Sequence, residues 1–313
     1  MRTRTRRSTM LASGLVAAMA TVSCESQATG TAQASYTAAT LNVFSSTDQE
    51  WLVLFPATGQ EIKVPLRPGL EGQFVFLGSN ADATILYGGI PPSGIPGQDF
   101  AGLKELQFNP VRERIVPGSV GLGNISNLTV SREPGKFFVS AWTMRSGTEE
   151  RGDFEIDSNV GAFRPLRLSR PPDWGGPISP DGKTEIHTSG HNVSLIDLAT
   201  GTSVAIGTDI KWPEWSPDGR WIAAVVRDAG VIIDPRNPSE KRQLGKADGP
   251  MFWSPDSKYL LLQKSQISCW PTLYGVSLEI LNVETKKRSV IKSSHCNVLG
   301  GTSMLWINRD AVQ

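Results

Sequence analysis

The chain has 313 residues, of which 39% are hydrophobic and 19% are charged, and it contains 31 glycines and 21 prolines. This composition favours many short strands joined by turns over long helices. Without the four arginines of the first 23 residues, the chain contains 27 Lys and Arg and 30 Asp and Glu. This balance of charge gives no reason to expect nucleic acid or an anionic membrane surface as a partner.

Residues 1–23 have the features of an export signal. Four arginines precede an uncharged run of small and apolar residues from Met10 to Ala20, which is too short to span a bilayer. The following Val22-Ser23-Cys24 resembles the end of a bacterial lipoprotein signal, so we predict lipid on Cys24. Secretion without lipid is the alternative, because Thr21 stands where a large aliphatic residue is usual. A twin-arginine export route is a further alternative.

Residues 24–40 are polar and small, which predicts a flexible tether between the lipid and the folded part. With that anchor, the protein is expected in the periplasm or at the cell surface. The lipid at Cys24 would be its only contact with the membrane.

A Ser-Pro-Asp triplet recurs at Ser179, Ser216 and Ser254, just under forty residues apart. This spacing is typical of a propeller blade. Proline presets φ for a turn, aspartate bonds back to its own backbone, and Gly182 or Gly219 supplies positive φ, so each triplet predicts a β-hairpin. Asp181, Asp218 and Asp256 are accordingly expected to form turns and not to act in catalysis.

A second hairpin pattern has an apolar strand, a short turn and another strand. It occurs as WLVLFPATGQEIKVPL from Trp51, NVSLIDLATGTSVAIG from Asn192 and GVSLEILNVETKKRSVI from Gly275. The two hairpins together predict a blade of four strands, which we label a to d.

These repeats resemble those of the TolB-like, WD-repeat-like propeller family, in which the Ser-Pro-Asp-Gly hairpin joins strands a and b. The resemblance is strong from Gly175 to Ile291 and weaker before it, where LTVSREPGKFFVSAWT and FLGSNADATILYGG replace the motif. It implies an all-β fold, with residues 41–313 forming a single six-bladed propeller and seven blades as the alternative. The blades are expected to start near Leu41, Gln73, Asn124, Gly175, Lys211 and Ala247.

The C-terminal segment GTSMLWIN resembles a strand a without a following b, whereas the first blade lacks a strand a. We predict that Ser303 to Asn308 completes the first blade beside Leu41 to Phe44. This closes the ring and removes two exposed sheet edges.

In such a propeller the b-to-c and d-to-a connections share one face, which collects three long segments. They are GGIPPSGIPGQDFAG from Gly88, MRSGTEERGD from Met144 and KSQISCWPTLYG from Lys264. Long loops are more often functional than structural, so we expect the ligand or partner here. The candidate binding residues are Trp270, Tyr274, Asp99, Phe100, Arg145, Arg151 and Trp174.

Tryptophans divide between this face and the core. Trp174, Trp212 and Trp270 map to or near the face, where they would stack on a sugar ring, anchor a protein partner or pack locally. The strand tryptophans are expected in the core: Trp215, Trp221, Trp253 and Trp306.

Histidines and cysteines complete the set of candidate residues. His187, His191 and His295 map to the same face and are kept as metal candidates, although no carboxylate cluster accompanies them and we expect no metal or cofactor. Cys269 and Cys296 remain as an even pair in an oxidising compartment, which predicts a disulfide between the blade-six b-to-c loop and the last connection.

The chain lacks the Gly-x-Ser-x-Gly elbow of propeller-bearing serine peptidases. We therefore expect a non-enzymatic binding module of the cell envelope or surface, with an envelope protein, a surface protein or a glycan as its partner. A carbohydrate-active lyase or hydrolase that uses the b-to-c loop face is the alternative.

Overall fold

The computed structural model describes residues 36–43, 50–55, 60–65, 75–89, 102–108, 111–145, 147–169, 176–247, 249–269, 273–291 and 303–308. All regular elements in these ranges are β-strands. In this part of the chain no helix has the length and apolar character needed to cross a membrane. The all-β prediction is therefore confirmed.

The strands follow one another in the order of the predicted blades. Blade one has β1 Tyr36–Val43, β2 Glu50–Phe55 and β3 Gln60–Pro65. Blade two has β4 Val75–Ser79, β5 Ile85–Gly89, β6 Lys104–Phe108 and β7 Val111–Ile115. Blade three has β8 Leu122–Val130, β9 Lys136–Arg145, β10 Thr148–Asp157 and β11 Ala162–Ser169.

The second half of the chain repeats the pattern. Blade four has β12 Thr184–Ser189, β13 Asn192–Asp197 and β14 Ser203–Thr208. Blade five has β15 Ile210–Trp215, β16 Ile222–Val226, β17 Ala229–Asp234 and β18 Asn237–Lys246. Blade six has β19 Met251–Trp253, β20 Tyr259–Cys269, β21 Leu273–Asn282 and β22 Arg288–Ile291, and the last strand is β23 Ser303–Asn308.

Among the described residues, five of the antiparallel sheets are four-stranded blades, whereas blade four has three strands. The prediction of six blades, with seven as the alternative, is therefore corrected to five complete blades. The incomplete sheet belongs to a repeat with the full Ser-Pro-Asp-Gly motif. Its strand a is reduced to a single bridge between Ile178 and Glu185. Pro177 has no N–H to continue the ladder, although its carbonyl still accepts from Ile186 N at 3.0 Å.

The C-terminal strand completes blade one, as predicted, but it lies beside residues 36–41, which share only Leu41 with the predicted range of Leu41 to Phe44. β23 pairs antiparallel with β1, from Tyr36 opposite Asn308 to Leu41 opposite Ser303. β1 starts at Tyr36 and not at Leu41, so residues 36–40 lie in a strand, and the predicted tether is too long at its C-terminal end.

Three tryptophans of innermost strands join consecutive blades in the second half of the ring. Trp215 Nε1 donates to the Pro177 carbonyl at 3.0 Å, and Trp253 Nε1 donates to the Glu214 carbonyl at 3.2 Å. Trp306 Nε1 donates to the Phe252 carbonyl at 3.1 Å. All three side chains are buried, which confirms the prediction of core tryptophans at these positions.

Backbone hydrogen bonds join the other neighbouring sheets. Asn308 N donates to the Ala83 carbonyl at 2.8 Å between blades one and two, and Gly102 N donates to the Leu122 carbonyl at 2.9 Å between blades two and three. Arg132 N donates to the Pro180 carbonyl at 3.1 Å between blades three and four. With the tryptophan bonds, these contacts form a closed circuit of sheets.

The Ser-Pro-Asp turns are held by the serine hydroxyl. Ser179 Oγ donates to Asp181 Oδ1 at 2.6 Å and accepts from Thr184 N at 2.9 Å, and the same two bonds recur around Ser216 and Ser254. Gly182 has φ of 72° at the reversal. The predicted turn-forming role of the aspartates is confirmed.

Deletion of residues 302–313 should abolish folding. It removes β23 and with it the donors Trp306 Nε1 and Asn308 N, which leaves β1 with an unpaired edge and blade six without its link to blade one. Circular dichroism melting measures this. Deletion of residues 309–313 is the control, because it keeps β23. Cooperative melting of the longer deletion at the full-length temperature would contradict ring closure.

Candidate functional site

The ring has two ends that differ in chemistry. We call the end with the b-to-c turns at Gly190–His191 and Arg227–Asp228 the loop face. We call the end with the turns at Asp181–Gly182 and Asp218–Gly219 the turn face. The sequence predicts the binding residues on the loop face, and the structure describes how some of them are held.

Two segments predicted as long loops are extended hairpins. β9 ends at Arg145 and β10 begins at Thr148, so only two residues separate these strands. Arg145 and Arg151 therefore lie in strands, because their segment continues the ladder of blade three. In blade six, β20 continues to Cys269 and β21 begins at Leu273, which places Tyr274 in a strand opposite Ser268.

Several predicted residues lie outside the described residues. They are Cys24, Asp99, Phe100, Trp174, Trp270, His295 and Cys296. Cys269 ends β20, but its side chain also lies outside the description. The lipid on Cys24 and the disulfide between Cys269 and Cys296 therefore stay predictions.

Blade three presents a cation stacked on an aromatic ring near the loop face. Arg151 and Trp142 are directly opposite in the β9–β10 ladder, and the guanidinium carbon of Arg151 lies 4.0 Å from the centroid of the Trp142 ring. Arg151 Nη2 also contacts Glu149 Oε1 at 2.7 Å. Met144, next to this hairpin turn, is 50% exposed. Apolar, aromatic and charged groups thus meet on one hairpin, as in binding surfaces.

Trp212 is displayed by a bulge in the innermost strand of blade five. Lys211 pairs with Val225 and Glu214 with Ala223, so Trp212 and Pro213 together oppose one residue. Trp212 has φ of 47°, a conformation that is costly for a bulky side chain, and it is 48% exposed. The bulge therefore turns a large aromatic ring toward solvent and requires an unfavourable backbone conformation at Trp212.

His191 and Asp209 form an exposed pair beside this strand. Their Nδ1 and Oδ1 atoms lie 2.7 Å apart, and Asp209 N donates to the His191 carbonyl at 2.9 Å. Both side chains are exposed, so the ion pair contributes little stability, and the backbone bond fixes the b-to-c turn against the strand that leads to Trp212.

The two described histidine candidates, His187 and His191, have separate partners. His187 lies in β12 and not in a loop, because its segment pairs with β13, and its Nδ1 contacts Glu185 and Arg167. His191 lies on the surface with Asp209. Among the described residues, no group of three or more His, Cys, Asp or Glu side chains is arranged to hold a metal ion.

Sequence reasoning missed two features. One is a buried polar cluster beneath the loop face, in which Asp153, Arg167 and Glu185 lie between blades three and four. The other is a cavity of about 460 Å³ on the turn face, between blades four and five. Its lining includes Arg132, Asp181, Asp197, Trp215 and Arg236. In both features the side chains come from different turns and strands, so no local sequence pattern predicted either of them.

Similarity searches support the fold but not a sequence family. No family model matches the chain, and no curated protein matches it. TolB from Acinetobacter baumannii matches with a TM-score of 0.57 at 16% identity, over 86% of this chain and 66% of TolB, just under two thirds of its length.

Two other solved structures match at similar levels. An oligogalacturonate lyase from Vibrio parahaemolyticus matches with a TM-score of 0.50 at 12% identity, over 83% of this chain and 79% of the lyase. A chain of a nidogen/laminin complex matches with a TM-score of 0.52 at 11% identity, over 86% of this chain and 98% of that chain. At these identities the likeness establishes the β-propeller fold alone.

Substitutions at Trp212 test the strain at the bulge. Glycine in a strand is ordinarily less stable than alanine by about 0.5–1 kcal/mol. At Trp212 the order should reverse, because glycine adopts positive φ without the cost of about 1–2 kcal/mol that an L side chain incurs. Chemical denaturation of Trp212→Gly and Trp212→Ala measures the difference.

Trp215 is the matched control on the same strand. Its side chain is buried and it is not among the residues with positive φ. Trp215→Ala should lower the free energy of unfolding by about 3–5 kcal/mol, with Trp215→Gly lower still. If Ala is more stable than Gly at both positions, Trp212 is not strained.

Proposed function

We propose that this chain is an exported, non-enzymatic binding propeller that captures a protein or glycan partner through its loop face. The observation that carries the proposal is Trp212, an aromatic ring held half-exposed by a strained bulge. Folding alone does not require that strain, because a glycine would close the same bulge without it. Strain of this kind clusters at ligand sites, and tryptophan is among the residues that dominate binding energy.

The turn face offers a partner fewer free groups. In each Ser-Pro-Asp turn the serine hydroxyl and one aspartate oxygen are already used within the turn. The backbone N–H at the reversal is also used, as in the bond from Gly182 N to the Ser179 carbonyl at 2.8 Å. A partner would compete with these bonds and gain little net energy. Near the loop face, Met144 and Trp212 are each about half exposed and offer apolar and aromatic surface to a partner.

The proposed binding arc extends beyond the described residues. It includes Arg145, Arg151 and Tyr274 on the hairpins of blades three and six. The proposal also includes Trp270, Asp99, Phe100 and Trp174, which the sequence assigns to connections of the same face. In this proposal the ring has six blade positions, and the three-stranded sheet of blade four occupies one of them.

We propose the cell envelope or the cell surface as the location of the protein. The arginine-rich start, the short apolar run and Cys24 support export and a lipid anchor. The proposed disulfide between Cys269 and Cys296 suits the same oxidising compartment. We expect no nucleic acid partner, because the sequence without its signal carries no excess of positive charge.

Cys24→Ser should move the protein from the membrane fraction to the soluble fraction, because acyl chains supply most of the membrane affinity of such an anchor. Fractionation with immunoblotting measures the distribution, and intact mass of the wild type measures the lipid. Cys269→Ser is the control and should leave the distribution unchanged. A wild-type protein without added acyl mass would rule out the anchor.

The alternative is a carbohydrate-active lyase or hydrolase. A solved structure similar to this chain is an oligogalacturonate lyase, and an exposed tryptophan such as Trp212 is suited to stacking on a sugar ring. Turnover of any polysaccharide, abolished by a loop-face substitution, would favour this alternative over the binding module.

A photo-crosslinking amino acid at position 212 should capture the partner in intact cells, whereas the same group at position 183 on the turn face should not. With the captured partner purified, Trp212→Ala combined with Arg151→Ala should weaken binding at least tenfold, about 1.4 kcal/mol. Lys183→Ala and Arg220→Ala are matched turn-face controls and should leave the affinity unchanged. The opposite pattern would assign binding to the turn face and its cavity.

A further inference from the structure

A row of polar side chains crosses the middle of blade three and faces blade four. Asp153 of β10 pairs in register with Ser140 of β9 and with Arg167 of β11. Two residues before Ser140, on the same face of β9, the ring of Phe138 lies against the blade-four turn. A Cβ atom at Gly182 would come within 2.5 Å of Phe138 Cζ. The polar row therefore lies in the joint between the two blades.

Glu185 of β12 meets this row from blade four. Its Oε2 atom accepts from Arg167 Nη1 at 2.7 Å, and its Oε1 atom lies 3.2 Å from His187 Nδ1. Asp153 and Glu185 are both 0% exposed. Two ionised carboxylates beside one guanidinium would leave an uncompensated negative charge in the interior, which is costly.

One carboxyl oxygen of this cluster has no hydrogen-bond donor. Ser140 Oγ donates to Asp153 Oδ1 at 2.8 Å, and Arg167 Nη1 donates to Glu185 Oε2 at 2.7 Å. His187 Nδ1 lies 3.2 Å from Glu185 Oε1 and 3.3 Å from Arg167 Nη1, and its tautomer decides which of the two it bonds. Asp153 Oδ2 is buried and has no hydrogen-bond partner among the described residues.

We propose that Asp153 and Glu185 form a buried proton-binding site, in which one proton is held between Asp153 Oδ2 and the Glu185 carboxylate. The proton gives Asp153 Oδ2 the hydrogen bond that it lacks. It also reduces the charge of the two carboxyl groups to −1, which Arg167 balances. The site is independent of any partner at the loop face.

The electrostatic surroundings of Asp153 keep this proton at neutral pH. Burial, and then the charge of Glu185, raise the pKa of Asp153 from 3.8 to about 8, against the opposing effects of Ser140 and Arg167. The neighbouring charges on β10 are already paired, because Glu155 binds Arg164 at 2.7 Å and Arg151 contacts Glu149. The groups that face Asp153 from the packed strands are Ser140 of β9, Arg167 of β11, and Glu185 and His187 of β12.

The site links the stability of the joint between blades three and four to pH. The folded protein keeps the proton up to about pH 8, whereas an unfolded chain releases it near the ordinary aspartate value of 3.8. The stabilising contribution of the proton is therefore complete below about pH 4. It declines as the pH rises between these values and is lost above about pH 8.

Asp153→Asn tests the site, because its amide accepts from Ser140 and donates to Glu185 as the protonated acid would, but does not titrate. The unfolding constant of the full chain is measured by denaturant titration for both proteins from pH 5 to pH 9. The ratio of the wild-type constant to the Asp153→Asn constant should rise about tenfold per pH unit between about pH 5 and 7 and level off above about pH 8. Other titrating groups, such as Glu214, cancel in this ratio.

Glu155→Gln is the matched control, since it removes a carboxylate from the same face of the same strand, but one that is paired with Arg164. The ratio of the wild-type unfolding constant to the Glu155→Gln constant should stay the same between about pH 5 and 7. A constant ratio for Asp153→Asn as well would overturn the proposal.

Infrared spectroscopy of the wild type tests the site without relying on a variant. With aspartate carboxyl groups labelled with carbon-13, a protonated-carboxyl band that shifts on labelling should be present at pH 6 and disappear by about pH 9. The absence of such a band at pH 6 would overturn the proposal. If the proton is held on His187 Nδ1 instead, the labelled band is absent at pH 6 and the ratio of the wild-type unfolding constant to the His187→Gln constant changes with pH. That outcome also overturns the proposal.

Discussion

The second half of the ring depends on hydrogen bonds from indole N–H groups to backbone carbonyls of the preceding blade. Trp215 and Trp253 each stand directly before the serine of a Ser-Pro-Asp turn. One short segment therefore supplies the turn that forms a blade and the donor that fixes its distance from the previous blade. Because the donor is a buried ring on an innermost strand, the same residue also fills the joint with apolar surface. Trp306 repeats this bond at the closure of the ring without any turn motif after it.

The joint between blades three and four is built differently because the repeat changes there. Ile178 occupies the position before Ser179, so the motif of blade four supplies no indole where Trp215 and Trp253 supply one. Pro177 also interrupts its inner strand. The joint is held by the bond from Arg132 to Pro180 and by Arg167 reaching Glu185. A polar joint of this kind tolerates a missing strand, but it brings carboxyl groups into the interior and makes the joint sensitive to protonation.

The parts of the fold that follow from local chemistry were predictable from the sequence. Proline, aspartate and glycine define the Ser-Pro-Asp turn within a few residues, and the pairing of β23 with β1 follows from the rule that a propeller does not leave sheet edges open. The errors arose where tertiary context decides. The charged segment around Arg151 was interpreted as a loop because its residues are polar, although its ladder with β9 continues through them. The contact of Asp153 with Glu185 joins strands of different blades, and charged residues are rarely expected in a core.

Several large side chains near the loop face have a backbone conformation that is costly for them. The b-to-c turn of blade five joins Val226 to Ala229 through Arg227 and Asp228, both at positive φ, where such two-residue turns favour asparagine and glycine. Trp212 has the same kind of backbone conformation on the neighbouring strand. On the turn face Gly182 and Gly219 make the reversal without side-chain cost, but Ala83, Ser257 and Lys286 have positive φ in turns of the same face. Positive φ alone therefore does not separate the two faces. Trp212 combines positive φ with a large, half-exposed aromatic ring, and the proposed binding at the loop face would use that ring.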